Sequence, residues 1–367
     1  MNQRLTEEIA YKALQEFFTG RNIFVLFGTG TSCGVDIGFG MNALKEHLIK
    51  DILLDKLDSI QQTEWNLVLD HLHNGNDLES AMNYVQDEKL TQDIIKSTAK
   101  LVSALDRKYS SKIFYGEISW PAARLFQLLV EGLSESSPML HVATPNYDLL
   151  AEHAFEKMGI NYITGFYGGV CRKRDWKRAG RSFIYINKYP YRRSIKLGEK
   201  CEKHIRLYKV HGSLNTFKLN NVIVENNSWI YDCPNDIERL MITPGIAKFQ
   251  RLHQNRADLL REFDDAIESH NAFLFMGFGF NDSQLCNDSI KRKLKEQKCW
   301  GLIITRDNNF RIEEYMRECE NLWLVCKNPN NGNQGTCIYN VRYGNHIELN
   351  NKRLWDPGEF TNEILGG

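Results

Sequence analysis

Short apolar runs of three to six residues, each closed by turn residues, recur along the chain and alternate with stretches of helical periodicity. The runs Phe24–Phe27, Leu140–Ala143, Tyr162–Thr164, Arg206–Val210, Ala272–Met276, Gly301–Thr305 and Leu322–Val325 predict strands. Amphipathic patterns predict helices over about Thr6–Thr19, Asp258–Ser269 and Asp282–Gln297. Strands that alternate with helices in this way predict an α/β fold built on a doubly wound parallel sheet.

One long segment breaks the alternation. From about Met41 to Ser134 the periodicity is helical throughout, as in Leu101–Leu105 and Ala122–Leu129, and no strand interrupts it. The expected organisation is a core domain from residues 1–40 and 135–327, with a helical insertion subdomain at 41–134. The polar run Asn328–Gly335 opens a C-terminal loop or arm over 328–367.

Composition narrows the field only a little. The 367 residues are 42% hydrophobic and 25% charged, with 46 Lys+Arg against 46 Asp+Glu. The charge is unevenly placed, however. Arg172–Arg206 holds 13 Lys/Arg against 3 Asp/Glu, together with Trp176, Phe183, Tyr185, Tyr189 and Tyr191. Such a stretch serves a solvated loop or partner-docking surface, or less directly a nucleic-acid backbone. No stretch reaches the roughly 18 apolar residues of a membrane span, and the N-terminal pattern is amphipathic helix, not signal peptide. Nine cysteines without a C-x-x-C pair argue for reduced thiols, a cytoplasmic location and no zinc ribbon.

Four motifs carry the chemistry, each at the end of an apolar run. Gly28-Thr29-Gly30-Thr31-Ser32 follows the first strand, where glycines and a hydroxyl suit a pyrophosphate. The dinucleotide fingerprint would need glycine where Cys33 stands, so an ordinary dehydrogenase is disfavoured. Thr144-Pro145-Asn146-Tyr147-Asp148 lies at the carboxyl end of a strand, where open sheets place ligands. Asn146 and Asp148 serve there either as a pocket-facing pair or as an Asx turn and helix cap. His211, between Val210 and Gly212-Ser213, is placed as a general base or as a structural histidine. His141 and His204, nearer strand starts, are structural. Gly277-Phe278-Gly279-Phe280-Asn281-Asp282 forms a second ligand-edge loop, and Thr305 ends the strand after it. Cys33 is a packing residue.

In order and wording these motifs resemble those of the sirtuin superfamily, and more closely the sirtuin-like NAD-hydrolysing domains of bacterial anti-phage systems. The likeness spans about Ile23 to Val325. Gly28, Gly30 and Ser32 match the phosphate loop, with Thr29 inside it. Thr144, Asn146 and Asp148 match a T-x-N-x-D segment, and His211 with Gly212 matches the catalytic H-G. Gly277, Gly279 and Asn281 resemble the second NAD loop, and Thr164-Gly165-Phe166 a recurring turn of that branch. Pro145 replaces the glutamine usual in deacetylases, and the zinc-binding cysteine quartet is missing, so a protein deacylase is disfavoured.

The resemblance implies a Rossmann-like, sirtuin-like sheet that takes NAD+ as substrate, with no metal expected. Asn146, Asp148 and His211 would be catalytic. Gly28, Thr29, Gly30, Ser32, Thr144, Gly277, Gly279, Asn281 and Thr305 would contact the nucleotide. It further implies antiviral defence by NAD+ depletion, a homo-oligomer, and a HerA-type hexameric ATPase as partner. A non-catalytic module that senses NAD or ADP-ribose is the competing expectation.

Overall fold

The computed structural model describes residues 4–191, 194–243, 247–282, 285, 288–332 and 334–366. A nine-stranded sheet forms the centre. Its strands are β1 (Ile23–Phe27), β2 (Met139–Thr144), β3 (Tyr162–Ile163), β4 (His204–Lys209), β5 (Ala272–Met276), β6 (Trp300–Thr305), β7 (Leu322–Lys327), β8 (Thr336–Tyr339) and β9 (Ile347–Leu349). They lie in the order β9-β8-β7-β6-β5-β1-β2-β4-β3. Neighbours from β3 through β7 pair in parallel, and β8 and β9 add on antiparallel. The predicted α/β architecture is therefore present.

The inner strands read as unbroken apolar runs because both of their faces are covered. Val25, Phe27, Leu274 and Met276 face one hydrophobic cluster, and Phe24, Leu26, Phe273 and Phe275 face the other. The chain winds outward from β1 through β2 to β4, then crosses back to β5 on the other side of β1. The carboxyl ends of β1 and β5 thus mark the switch point where open α/β sheets bind ligands.

The segment between β1 and β2 is helical. Residues between Leu44 and Ile94 enclose a separate core around the fully buried Trp65. Helix Glu88–Tyr115 leaves that core and sends Ile95, Ala99, Val102 and Ile113 into the main one. The distinct bundle is therefore shorter than 41–134, and the remainder forms a layer of the central domain.

Three regions differ from expectation. A second, five-stranded antiparallel sheet joins Phe166–Tyr167, Arg172–Arg174, Gly212–Leu219, Val222–Glu225 and Glu238–Met241. Its short, partly polar strands give no apolar run to read. The basic stretch is ordered too, with helix Trp176–Arg181 and a hairpin of Ile184–Tyr191 with Ser194–Cys201, although Arg192 and Arg193 lie outside the described residues. The tail completes the sheet through β8 and β9, and helix Pro357–Leu365 buries Phe360 and Ile364 in the main core. It is not a loop or arm.

Helix Ala247–Ser269 starts earlier than its periodicity suggested. The helix expected over 282–297 is described as Asp288–Lys291 and Arg292–Glu296, and 283, 284, 286 and 287 lie outside the described residues. Among the described residues, no helix is long and apolar enough to cross a membrane.

Candidate functional site

Two loops meet at the switch point. After β1, Gly28 caps the short helix Thr29–Cys33, and its amide donates to the Met276 carbonyl at 2.9 Å. The Gly30 amide donates to the Gly277 carbonyl, also at 2.9 Å. A Cβ on Gly30 would lie 2.6 Å from Gly277 Cα, and one on Gly28 would lie 2.7 Å from the Gly277 oxygen. Gly277 is left-handed at φ +54 and equally crowded, with Thr31 N 2.6 Å from its own ideal Cβ. These three glycines are what two touching loops require, whatever the ligand. The Thr31 amide is also engaged, by the Gly28 carbonyl at 3.1 Å. Gly30 stays exposed and Thr29 half-buried, so the loop presents backbone at the switch point.

Ser32 departs from its expected role. Its buried hydroxyl accepts from Asn146 Nδ2 at 3.1 Å and donates to Asp148 Oδ2 at 2.9 Å. A phosphate contact would cost it the bond to Asp148. Asn146 Nδ2 also donates to the Gly28 carbonyl at 3.2 Å, and its backbone amide donates to Thr144 Oγ1 at 3.1 Å. Asn146 Oδ1 is buried and has no hydrogen-bond partner among the described residues. A buried acceptor left in that state costs free energy until a donor arrives. A ribose hydroxyl or a water would supply one.

Asp148 both closes an Asx turn, its Oδ1 accepting the Leu150 amide at 3.2 Å, and joins the network. Burial pushes its carboxyl up to about 6, against the pull of Lys209 and with a further push from Asp106. Lys209, at the end of β4, donates to the Asp148 carbonyl and to Glu152 Oε1, the latter at 2.8 Å. Asp106, wholly buried, reaches in from helix Glu88–Tyr115 to accept the Leu149 amide at 2.8 Å and the Tyr231 hydroxyl at 3.2 Å.

His211 follows β4 by two residues and is buried. Its Nε2 lies 2.9 Å from Asp282 Oδ2, which the second loop brings in from the end of β5. Asp282 Oδ1 accepts the Leu285 amide at 3.2 Å. Between them Phe280 is held at φ +58, a strained value for a bulky residue. The rings of Phe275 and Tyr315, each with its centroid 4.7 Å away, fix it there.

The remaining nucleotide candidates sit on the β5–β6 side. The Gly279 carbonyl accepts from Asn309 Nδ2 at 2.9 Å, and Thr305 Oγ1 donates to the Asp307 carbonyl at 3.4 Å. Asn281 is exposed and lines a cavity of about 560 Å³ with Lys291, Arg292 and Arg311. Thr164 turns elsewhere, donating to Glu225, and Gly165 at φ +83 makes room for the Trp176 ring. Burial pushes the Cys33 thiol up, which suits a packing residue.

Sequence reasoning passed over Lys209, Glu152 and Asp106. Lys209 and Glu152 each sit among apolar neighbours, and Asp106 continues the buried stripe of Ile95, Ala99 and Val102. That interruption was the available signal.

No curated protein matches the chain in sequence. Among solved structures, a variant of a Sir2 homologue in complex with ADP-ribose is similar at 12% identity, over 99% of this chain and 96% of that one, with a TM-score of 0.44. A Sir2 homologue–NAD complex is similar at 13% identity, over 85% and 87%, with a TM-score of 0.40. A family model described as the SIR2-like domain matches residues 140–319, a span that holds Asn146, Asp148, Lys209, His211 and Asp282.

Proposed function

We propose that this chain is an NAD+ hydrolase that cleaves the bond between nicotinamide and ribose. The observation that carries this reading is the hydrogen-bonded relay Asn146–Ser32–Asp148 at the carboxyl ends of β1 and β2, with the His211–Asp282 pair at the ends of the flanking β4 and β5. The SIR2-like match over 140–319 supports NAD as the ligand.

Cleavage builds positive charge on the ribose as nicotinamide leaves. Asn146 Oδ1, which has no partner among the described residues, accepts a hydrogen bond from a ribose hydroxyl or from the attacking water and so orients it. His211 takes the proton that water loses, and Asp282 stabilises the imidazolium formed. Asp148, ionised above about pH 6, holds Ser32 and through it Asn146. Water and NAD+ give nicotinamide, ADP-ribose and a proton.

A role in anti-phage defence, a homo-oligomeric state and a HerA-type ATPase partner rest on the motif resemblance. The helical bundle and the basic hairpin are the faces offered for such assembly.

Nicotinamide release by the purified chain, alone and with the product of its neighbouring gene, tests the reading. Asn146→Ala and His211→Ala should each abolish release while NAD still binds. An undiminished rate in His211→Ala would remove the base assignment. Binding without release under every assembly condition would favour the sensor module.

A further inference from the structure

The far edge of the main sheet gathers a second set of reactive side chains. Antiparallel register places Cys326 of β7 opposite Cys337 of β8, and Cys337 opposite Glu348 of β9. Directly opposed residues share a sheet face, so these three form one row across three strands. His346 precedes Glu348 by two positions and projects from the same side. One donor atom each from Cys337, His346 and Glu348 lies within 4.8 Å of the other two.

We propose that Cys337, His346 and Glu348 form a binding site for zinc, or for a divalent cation of similar thiophilicity, that ties β8 to β9. The donor set is a thiolate, an imidazole and a carboxylate, the three ligand types that zinc takes. The spacing between donors suits it as well. His346 Nε2 lies 3.0 Å from Glu348 Oε1, about the separation of two ligand atoms around a tetrahedral ion with bonds of roughly 2.0 Å. The Cys337 side is buried, whereas the side chains of His346 and Glu348 are 42% and 43% exposed. An ion held there would have protein on one side and water available for its fourth position.

The surroundings orient the donors as an outer shell does. Asn328 Nδ2 donates to Glu348 Oε2 at 3.1 Å, which leaves Oε1 to face His346. The Tyr339 ring stacks on His346, with centroids 4.9 Å apart and planes at 27°. Asn345, beside His346, exchanges hydrogen bonds with the backbone of Leu5 at 2.8 and 3.1 Å, so the connection between the strands is anchored to the N-terminal segment. The missing cysteine quartet concerned a different site. This one joins ligands across a sheet and has none of the finger-like spacings that sequence reading detects.

Cobalt is the probe. The metal-free full chain should take up one equivalent of Co2+ with a thiolate-to-cobalt charge-transfer absorption that added Zn2+ abolishes. Cys337→Ser should lose that absorption. His346→Ala and Glu348→Gln, at exposed positions that leave the fold intact, should weaken uptake by more than the roughly 10–100-fold typical of losing an outer-shell partner. Zn2+ should raise the Tm of the parent chain and not that of His346→Ala. The proposal fails if the parent shows no charge-transfer absorption. It fails equally if the absorption persists in Cys337→Ser or survives His346→Ala unchanged. NAD cleavage enters none of these readouts.

Discussion

At the carboxyl end of the parallel strands His211 sits 2.9 Å from the carboxylate of Asp282, while His141, His204 and His270, in or beside the same sheet, are held by other partners. His141 hydrogen-bonds Tyr208 at 2.9 Å and lies with its ring centroid 4.9 Å from that of His270. His204 Nδ1 faces the Glu202 carbonyl at 2.8 Å. Burial is the first cause acting on all three, and it holds each below the usual histidine range, with His141 lowered to about 3. The contrast teaches what a sheet does with a protonatable ring. Away from the ligand edge these three imidazoles are kept neutral and used as packing. At the ligand edge, carboxylates are brought in to accompany charge.

The strongest way to break that contrast is by activity. His211→Ala should lower nicotinamide release about 10²–10⁴-fold, the usual cost of losing a general base. His141→Gln, which keeps a hydrogen-bonding group beside Tyr208, should leave the rate near that of the parent. Equal losses in both variants would mean that the two environments do not separate the roles.

Stability against pH sharpens the comparison, because the two groups act with opposite sign. The folded carboxyl of Asp148 is raised, to about 6, so its contribution is full below about pH 4 and lost as pH rises through 6. The loss is on the order of 3 kcal/mol. The folded imidazole of His141 is depressed, so its contribution is full above about pH 6.5 and lost as pH falls towards 3. Urea midpoints from pH 3 to 8 should show Asp148→Asn removing the loss between pH 4 and 6, and His141→Gln easing the loss on the acid side. Parallel curves for parent and variants would contradict both assignments.

The smallest effect concerns the backbone contact beneath the site. Gly30→Ala should cost about 1–3 kcal/mol, as overpacking does, because its new methyl meets Gly277 backbone and not a movable side chain. Gly169→Ala, with nothing within 4 Å of its ideal Cβ, should leave the denaturation midpoint in place.

The centre of the fold was legible because β1, β5 and β6 are covered on both faces and so write uninterrupted apolar runs. The outer pieces were not. β9 spans three residues with only Leu349 fully buried, and Arg172–Arg174 is a strand with no apolar residue at all. Within the candidate site, Ser32, Asn146 and Asp148 from two of the motifs are hydrogen-bonded together. The orientation of Ser32 was beyond the motifs, since a hydroxyl after a glycine turn reads the same whether it faces a ligand or a neighbouring carboxylate. Lys209 and Asp106 escaped for a different reason. Their partners lie 57 and 43 residues away in the chain, so no local pattern records the pairing.

Helix Glu88–Tyr115 has 28 residues, and at 1.5 Å per residue it forms a rod about 42 Å long. One end is clamped in the small bundle, and near the other Asp106 grips the amide of Leu149, the residue after Asp148. The helix is thus one continuous element that packs in the bundle's core and in the main core, and through Asp106 it also holds the turn that carries Asn146 and Asp148.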